Sequence, residues 1–316
     1  MSTYWENKNV SVTGGKGFLG IHLIKLLAKK KPKRISIVDH KDYDLVDNNA
    51  VIRMYTDQKP DIVFHLAATV GGIGVNQRNP GKFFYENAIM NLQVIHNAYL
   101  NNISKIISIG TVSVYPKNSP VPFLESNIWN GYPEETNAPY GIAKRIMHTH
   151  SLSYRKQYDF NSIMVILTNL YGPNDNFKTD TSHVIAALIR RFYEAKKNKE
   201  KEVTVWGNGD STRDFCYIED IAKGIILAAE NYNESEPINL ASGTEIKIKE
   251  IANIIKKQIN YDGKIVWDES MPVGPNRRNV SIELARQKIN FNPVISLEEG
   301  IKKTIDWYIN SKIFDK

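Results

Sequence analysis

The sequence predicts an α/β protein that has a doubly wound parallel sheet and a smaller C-terminal lobe. Buried strands alternate with helical segments up to about residue 170, and a glycine-rich turn joins the first strand to the first helix. Unbroken apolar runs of strand length suit a parallel sheet that helices cover on both faces. Together these features are typical of a Rossmann-type, dinucleotide-binding domain.

The first strand and the turn after it form the clearest local pattern. Residues 10–13 predict a short strand, and Gly14, Gly17 and Gly20 follow it with G-x-x-G-x-x-G spacing. Such a turn lets the backbone approach a pyrophosphate and aims a helix N-terminus at the anion. The segment after the turn has the periodicity of an amphipathic helix. Its apolar side carries Leu19, Leu23, Leu26 and Leu27.

Further strands are predicted at 34–38, 62–66, 106–109 and 163–167. We therefore assign residues 1–170 to the dinucleotide-binding domain. After residue 171 the pattern is less regular, with a helix predicted at 182–195 and a short strand at 203–206. We assign residues 171–316 mainly to a substrate-binding lobe, with segments near 203–240 returning to the parallel sheet. A cleft between the two parts is the expected site.

Asp39 ends the second predicted strand, about 20 residues past the glycines. A carboxylate there is placed to accept hydrogen bonds from the adenosine ribose, which favours NAD(H) and repels the 2′-phosphate of NADP(H). Lys16, His40 and Lys41 favour the opposite choice, because each can face a phosphate. We expect NAD(H) over NADP(H), and no metal site.

Tyr140 and Lys144 lie four residues apart in a predicted helix, so their side chains share one face. A tyrosine phenol titrates near 10, and a neighbouring ammonium favours its ionised form. Lowering that pKa to about 7 requires roughly 4 kcal/mol of differential stabilisation. The pair therefore predicts a proton shuttle for hydride transfer at a carbinol or ketone.

Composition excludes several classes of protein. The 316 residues include one cysteine, Cys216, which rules out an intramolecular disulfide and fits a reducing compartment. No apolar run reaches membrane-spanning length, and the first nine residues are polar, so we expect a cytoplasmic protein without membrane association. The formal net charge is +7, but the lysine clusters lack interleaved aromatic residues. Nucleic-acid binding is therefore not predicted.

Several segments resemble the extended short-chain dehydrogenases/reductases that act on nucleotide sugars, and among them the GDP-L-fucose synthase family. The resemblance runs nearly end to end. The segments that carry it are 67–73 (AATVGGI), 169–177 (NLYGPNDNF), 182–185 (SHVI), 190–192 (RRF), 205–209 (VWGNG), 213–215 (RDF) and 296–301 (SLEEGI).

The resemblance implies that Thr111, Tyr140 and Lys144 form the hydride-transfer triad. Tyr140 would transfer the proton of the sugar O4, Lys144 would lower the Tyr140 pKa, and Thr111 would orient O4 in the place of the family's usual serine. The family uses a cysteine and a histidine to epimerise C3 and C5. His183 matches the histidine, whereas Ser113 stands at the cysteine position, and its hydroxyl is a far weaker acid than a thiol.

The resemblance also implies the binding residues. Besides Tyr140 and Lys144, the cofactor-binding set comprises Gly14, Lys16, Gly17, Phe18, Leu19, Gly20, Asp39, His40, Leu66, Ala67 and Ala68. The substrate-binding set comprises Val70, Gly71, Gly72, Asn169, His183, Val184, Arg191, Trp206, Arg213 and Arg278. Arginine forks suit a diphosphate, and the Trp206 indole offers a flat apolar wall.

We therefore expect an oxidoreductase that works at C4 of a GDP-linked hexose or heptose, in surface-glycan (for example capsule) sugar biosynthesis. It would act as a 4-dehydrogenase or a 4-keto reductase, because the triad serves both directions. Three alternatives stay open. They are a 3,5-epimerase/4-reductase, a 4,6-dehydratase, against which Val112 and Ser113 argue, and a dinucleotide-binding protein without turnover. The resemblance also implies a homodimer that packs through the segments 81–100 and 140–157.

Overall fold

The computed structural model describes residues 4–71, 73–179, 181–270 and 276–311. The strands are β1 (Asn9–Thr13), β2 (Arg34–Val38), β3 (Ile62–His65), β4 (Lys105–Thr111), β5 (Ser162–Leu167), β6 (Asn169–Tyr171), β7 (Glu202–Trp206), β8 (Thr212–Tyr217), β9 (Ile238–Leu240), β10 (Glu245–Lys247), β11 (Lys264–Asp268) and β12 (Arg277–Arg278). The helices are α1 (Phe18–Lys29), α2 (Asn48–Gln58), α3 (Ile73–Arg78), α4 (Pro80–Leu100), α5 (Ala138–Tyr158), α6 (Val184–Lys197), α7 (Ile218–Asn231), α8 (Ile248–Ile259), α9 (Glu283–Ile289) and α10 (Leu297–Ser311).

The central sheet has six strands in the order β2-β1-β3-β4-β5-β9, and every neighbouring pair is parallel. This confirms the predicted doubly wound fold, including the strands placed at 10–13, 34–38, 62–66, 106–109 and 163–167. The helix expected at 182–195 begins and ends two residues later, at Val184–Lys197.

Helices cover both faces of this sheet, which explains the unbroken apolar strands. Ile107 packs in a core with residues of α1, α7 and α9, whereas its neighbour Ile106 packs in a second core with residues of α2, α4 and α5. Successive side chains of a strand point to opposite faces, so both must be apolar when both faces are buried.

The smaller lobe has its own core and two small sheets. Strand β8 pairs with β6, β10 and β12, and β7 pairs with β11. Residues of α6, α8 and α10 pack around these strands in a third core. Of the segments near 203–240, β9 lies in the parallel sheet, and α7 contributes to the core on one of its faces. Strands β7 and β8 lie in the small sheets instead.

The topology brings the predicted site residues to one edge of the parallel sheet. The glycine turn follows β1, residues 66–68 follow β3, and Thr111 ends β4. Since the carboxyl ends of parallel strands meet at one edge, these segments face a common crevice. Within the described ranges, none of the helices is both long enough and apolar enough to cross a membrane.

Candidate active site

The glycine turn leaves no room for a side chain at Gly14 or Gly20. Gly14 has φ +66°, and a Cβ there would lie 3.0 Å from the backbone nitrogen of Ala67. A Cβ on Gly20 would lie 2.4 Å from the carbonyl oxygen of Gly14. Gly17 is the N-cap of α1, so the first amides of that helix point toward the turn. The turn therefore fits the pyrophosphate of a dinucleotide, as the spacing of the glycines predicts.

Asp39 and Lys16 form an ion pair at the edge of this turn. The Asp39 carboxylate also accepts a hydrogen bond from the Lys41 backbone N–H at 3.2 Å. The hydrogen bond from Lys16 holds the pKa of Asp39 below its ordinary value, and Asp39 in turn raises the pKa of Lys16. His40 is exposed. The Asp39 carboxylate, which the sequence predicts to contact the dinucleotide ribose, therefore has its charge partly neutralised in this chain.

Helix α5 places Tyr140 and Lys144 together, with the Lys144 Nζ 5.9 Å from the centre of the Tyr140 ring. Lys144 is 1% exposed. Burial lowers the pKa of Lys144 to about 7 and raises the pKa of the Tyr140 phenol above its ordinary value.

These directions differ from the expectation that Lys144 lowers the Tyr140 pKa. Burial penalises the charged form of each group, and at this separation it outweighs their attraction. Tyr140 is therefore a neutral phenol in the protein alone. The Lys144 ammonium group has three hydrogen-bond donors, which fit the ribose hydroxyls of a bound dinucleotide.

Thr111 and Ser113 lie beside this helix, in the turn that follows β4. The Thr111 Oγ1 accepts a hydrogen bond from the Ser113 backbone N–H at 3.3 Å. A Cβ on Gly141 would lie 2.3 Å from the Ser113 carbonyl oxygen, so only glycine after Tyr140 allows this contact. The turn thus holds Thr111 close to the start of α5.

Arg145 ties the same turn to α5, and sequence reasoning missed it. Its Nε donates to the Val114 carbonyl oxygen and its Nη1 to the Gly131 carbonyl oxygen, both at 2.8 Å. The side chain is buried. Nothing in the sequence singles out this arginine, because its role depends on a loop that is distant in the chain.

Two predicted substrate residues meet on neighbouring strands. Arg278 of β12 pairs with Arg213 of β8. Burial, together with the charge of Arg278, lowers the pKa of Arg213 to about 10. Burial also lowers the pKa of Arg278. Two adjacent, partly desolvated guanidinium groups destabilise each other, so an anion bound between them is favoured.

Asn169 and Asp214 support this strand pair. The Asn169 side-chain amide donates to the backbone carbonyl oxygen of Asp214 at 2.9 Å. The buried Asp214 carboxylate accepts from the backbone N–H groups of Ser242 at 2.9 Å and Gly243 at 2.8 Å. Asp214 was not predicted as a site residue, although it follows Arg213 directly. It fixes the backbone on which Arg213 is carried.

The other residues that are predicted to bind substrate lie on α6 and β7, at the start of α6 and after β3. The Arg191 guanidinium lies 5.7 Å from the ring centre of the exposed Trp206 and donates to the Thr204 carbonyl oxygen at 3.0 Å. Val184, the first residue of α6, is exposed. His183 is the N-cap of α6 and reaches the surface, yet partial desolvation lowers its pKa. Val70 is exposed beside Gly71, and Gly72 lies outside the described residues.

An open cavity of about 530 Å³ lies beside the turn between β7 and β8. Its volume is in the range of ordinary ligand sites. Its walls are formed by Gly207, Asn208, Asp210, Ser211, Thr212, Lys247, Glu269, Asn276 and Arg277. None of these residues belongs to α5, and Trp206, Arg213 and Arg278 do not line the cavity either.

Comparison with known proteins agrees with this arrangement. Residues 10–241 match the NAD dependent epimerase/dehydratase family. The chain is 36% identical over 306 residues to a GDP-L-fucose synthase of Sinorhizobium fredii, and the match covers 97% of each chain.

Two solved structures share the fold over almost the whole length. One is a GDP-6-OMe-4-keto-L-xylo-heptose reductase from C. jejuni, with a TM-score of 0.91 at 28% identity, covering 96% of this chain and 98% of that one. The other is a GDP-mannoheptose C4 reductase from Campylobacter jejuni with NADP bound, with a TM-score of 0.87 at 29% identity and the same coverage.

The resemblance stated from the sequence is therefore confirmed, and with it a nicotinamide-dependent enzyme of the short-chain dehydrogenase/reductase type. The matched family model spans more than half of the chain, and it covers both the glycine turn and the tyrosine–lysine helix. The chain belongs to the NAD dependent epimerase/dehydratase family.

Proposed function

We propose that this oxidoreductase reduces the 4-keto group of a GDP-linked hexose or heptose. What supports the direction is the similarity to two solved structures whose names describe reductases, a GDP-6-OMe-4-keto-L-xylo-heptose reductase and a GDP-mannoheptose C4 reductase. The Tyr140 phenol is protonated at neutral pH, because tyrosine ordinarily titrates near 10 and burial raises its pKa further. A protonated phenol can donate a proton to the carbonyl oxygen as C4 is reduced.

In this proposal each residue of the triad has one task. Tyr140 donates its proton to the sugar O4, and Thr111 donates a hydrogen bond to the same oxygen. Lys144 holds the dinucleotide ribose, and its positive charge stabilises the phenolate that remains after proton donation. A bound nicotinamide dinucleotide supplies the hydride to C4.

The GDP diphosphate would bind between Arg213 and Arg278, which are paired on neighbouring strands. Two guanidinium groups can neutralise a diphosphate and donate bidentate hydrogen bonds to it, which single surface lysines do less well. Arg191 and Trp206 lie against each other, with the guanidinium 5.7 Å from the centre of the indole ring, and would contact the nucleotide. GDP is proposed over other nucleotides because the relatives named above act on GDP-sugars.

We propose NAD(H) as the preferred dinucleotide, although the structurally similar GDP-mannoheptose C4 reductase has NADP bound. The Asp39 carboxylate offers acceptors for ribose hydroxyls, as expected from the sequence. A 2′-phosphate would compete with Asp39 for Lys16 and would leave the carboxylate unpaired beside a second anion.

A second candidate is a bifunctional 3,5-epimerase/4-reductase, which the fucose synthase relative and His183 favour. His183 stands at the start of α6 and has a lowered pKa, so it is a neutral imidazole near pH 7. Ser113 argues against this candidate, because its hydroxyl is not a base without a strong activator. Incorporation of solvent deuterium at C3 or C5 of the sugar would support epimerisation.

We also propose a cytoplasmic homodimer. Cys216, the one cysteine, is a buried free thiol, which suits a reducing compartment. Helices α4 and α5 pack side by side, and they leave Tyr85, Leu100 and Tyr158 exposed on their outer surface. Sedimentation equilibrium tests the dimer, which a single species of 36.0 kDa would contradict.

The experiment for the proposed function is a reduction assay with purified protein, NADH or NADPH, and a panel of 4-keto nucleotide sugars. Dinucleotide oxidation that requires a GDP-4-keto sugar supports the proposal. Oxidation that requires another nucleotide, or none with any sugar, would reject it.

A further inference from the structure

A chain of buried hydrogen bonds connects the glycine turn with the catalytic helix. It runs from Thr13 at the end of β1, through His65 at the end of β3 and Asn91 of α4, to the Ala143 carbonyl oxygen of α5. The three side chains are at most 1% exposed. Buried polar groups of this kind are retained only where each is satisfied by a partner.

The direction of each hydrogen bond follows from the donors and acceptors present. The Thr13 Oγ1 accepts from the backbone N–H groups of Leu66 and Ala67, both at 3.1 Å. Both acceptor sites of the hydroxyl are then used, so its hydrogen is directed to the His65 Nδ1 at 2.9 Å. His65 must therefore carry its proton on Nε2.

The second half of the chain follows from this tautomer. The His65 Nε2 donates to the Asn91 Oδ1 at 3.0 Å. The Asn91 Nδ2 then donates to the Ala143 carbonyl oxygen at 3.4 Å. The orientation of the Asn91 amide is thus fixed by His65, and that of His65 by Thr13.

Burial, and secondarily the charge of Lys144, lowers the pKa of His65 to about 3. The imidazole therefore stays neutral at any pH at which the enzyme works, and the hydrogen bonds keep one direction. A protonated ring would have to reverse the Thr13 bond.

The two ends of this hydrogen-bond network lie at the predicted dinucleotide-binding turn and at the helix that carries Tyr140 and Lys144. Gly14 follows Thr13, and Leu66 and Ala67 are predicted cofactor contacts. Ala143 precedes Lys144 on α5. We propose that His65 is a positioning residue that holds the helix bearing Tyr140 and Lys144 in register with the dinucleotide-binding turn. This inference rests on the proposed function for the roles of these two ends.

Two substitutions of His65 each remove one of its two hydrogen bonds and keep the other. In His65→Asn the side-chain oxygen can take the place of Nδ1, so the Thr13 bond is kept while the Asn91 bond is lost. In His65→Gln the side-chain amide can take the place of Nε2, so the Asn91 bond is kept while the Thr13 bond is lost.

We expect the two variants to show opposite effects. His65→Asn should lower kcat about tenfold, the value of one buried hydrogen bond, and leave the dinucleotide Kd within about twofold. His65→Gln should weaken dinucleotide binding about tenfold and leave kcat within about twofold. Asn91→Ala should resemble His65→Asn, and the double variant should be no worse than either single one.

Amide hydrogen exchange gives a readout that needs no sugar substrate. Exchange should rise at the start of α5 in His65→Asn and at residues 66–67 in His65→Gln. His148→Asn is the matched control, because His148 is a buried histidine of α5 that stacks on Trp129 and has no part in the chain. His148→Asn should lower thermal stability, and any change in kcat should be matched by a similar change in the dinucleotide Kd.

The inference is overturned if the two His65 variants change kcat, Kd and exchange in parallel, as His148→Asn would. Failure of the proposed function is a different result. In that case the wild-type protein turns over no GDP-4-keto sugar, while fluorescence titration with NADH and hydrogen exchange still separate the two variants.

Discussion

Lys144 Nζ lies 5.9 Å from the centre of the Tyr140 ring, and no hydrogen bond joins the two side chains. Lys144 is buried and Tyr140 is half-buried, and desolvation shifts the pKa of each in the direction that favours its neutral form. Proximity of a lysine therefore does not by itself make a tyrosine a base. In the proposed mechanism Tyr140 gives up its proton only as C4 is reduced, and Lys144 stabilises the phenolate as it forms.

Removing the Tyr140 hydroxyl tests its assigned role. Tyr140→Phe should lower kcat for 4-keto reduction about a hundredfold or more, since a general acid is lost. The Kd for NADH should change by less than about twofold, because the pyrophosphate contacts lie at the glycine turn. Steady-state kinetics and fluorescence titration measure the two quantities. Turnover near that of the wild type would contradict the mechanism.

Arg213→Met tests the anion site formed with Arg278. The KM for the GDP-sugar should rise about a hundredfold, because one of two phosphate forks is lost. The melting temperature should equal or exceed that of the wild type, since the two guanidinium groups no longer repel each other. Arg190→Met is the control, because Arg190 pairs with Glu194 at 3.1 Å. An unchanged KM in Arg213→Met would show that the diphosphate does not bind at Arg213.

Asp39→Asn tests the choice of dinucleotide. Without the carboxylate, Lys16 is free to face a 2′-phosphate, so the ratio of kcat/KM for NADPH to that for NADH should rise about tenfold. Asp42→Asn, an exposed neighbour, should leave the ratio unchanged. The proposed preference is wrong if the wild-type protein already uses NADPH better than NADH.

The burial of Asp175 predicts how the stability of the folded protein changes with pH. Its Oδ2 is buried without a hydrogen-bond partner among the described residues, and burial raises its pKa to about 7. The folded protein therefore binds more protons than the unfolded chain between the unfolded pKa near 4 and the folded pKa, so stability falls as the pH rises through this window.

Asp175→Asn should remove that dependence and stabilise the protein above pH 7 by an amount on the order of 3 kcal/mol. Melting temperatures of both proteins from pH 4 to 8 provide the comparison. Parallel curves would show that Asp175 is ionised in the folded state at all of these pH values.

The parallel sheet could be predicted because its signals are local. Strands that are buried on both faces have unbroken runs of apolar residues. The turn that requires Gly14 and Gly20 can be recognised from the spacing of its glycines. Tyr140 and Lys144 could be paired because four residues bring two side chains to one helix face.

Other features depend on contacts between distant segments. The adjacency of Arg213 and Arg278 arises from the pairing of β8 with a strand of only two residues. The Lys16–Asp39 pair neutralises a carboxylate that the sequence alone presents as free. The hydrogen bonds from Thr13 through His65 and Asn91 to Ala143 join residues of four separate elements. The pKa of Tyr140 depends on how tightly the surrounding residues pack, which a pattern of residue types does not describe.

Transfer of a label tests the central claim most directly. The protein is incubated in ordinary water with a GDP-4-keto sugar and reduced nicotinamide dinucleotide that carries deuterium at both positions of C4 of the nicotinamide ring. NMR and mass spectrometry then locate deuterium in the sugar. We expect one deuterium, bound to C4 of the product. A product without deuterium at C4, or no product at all, would contradict it.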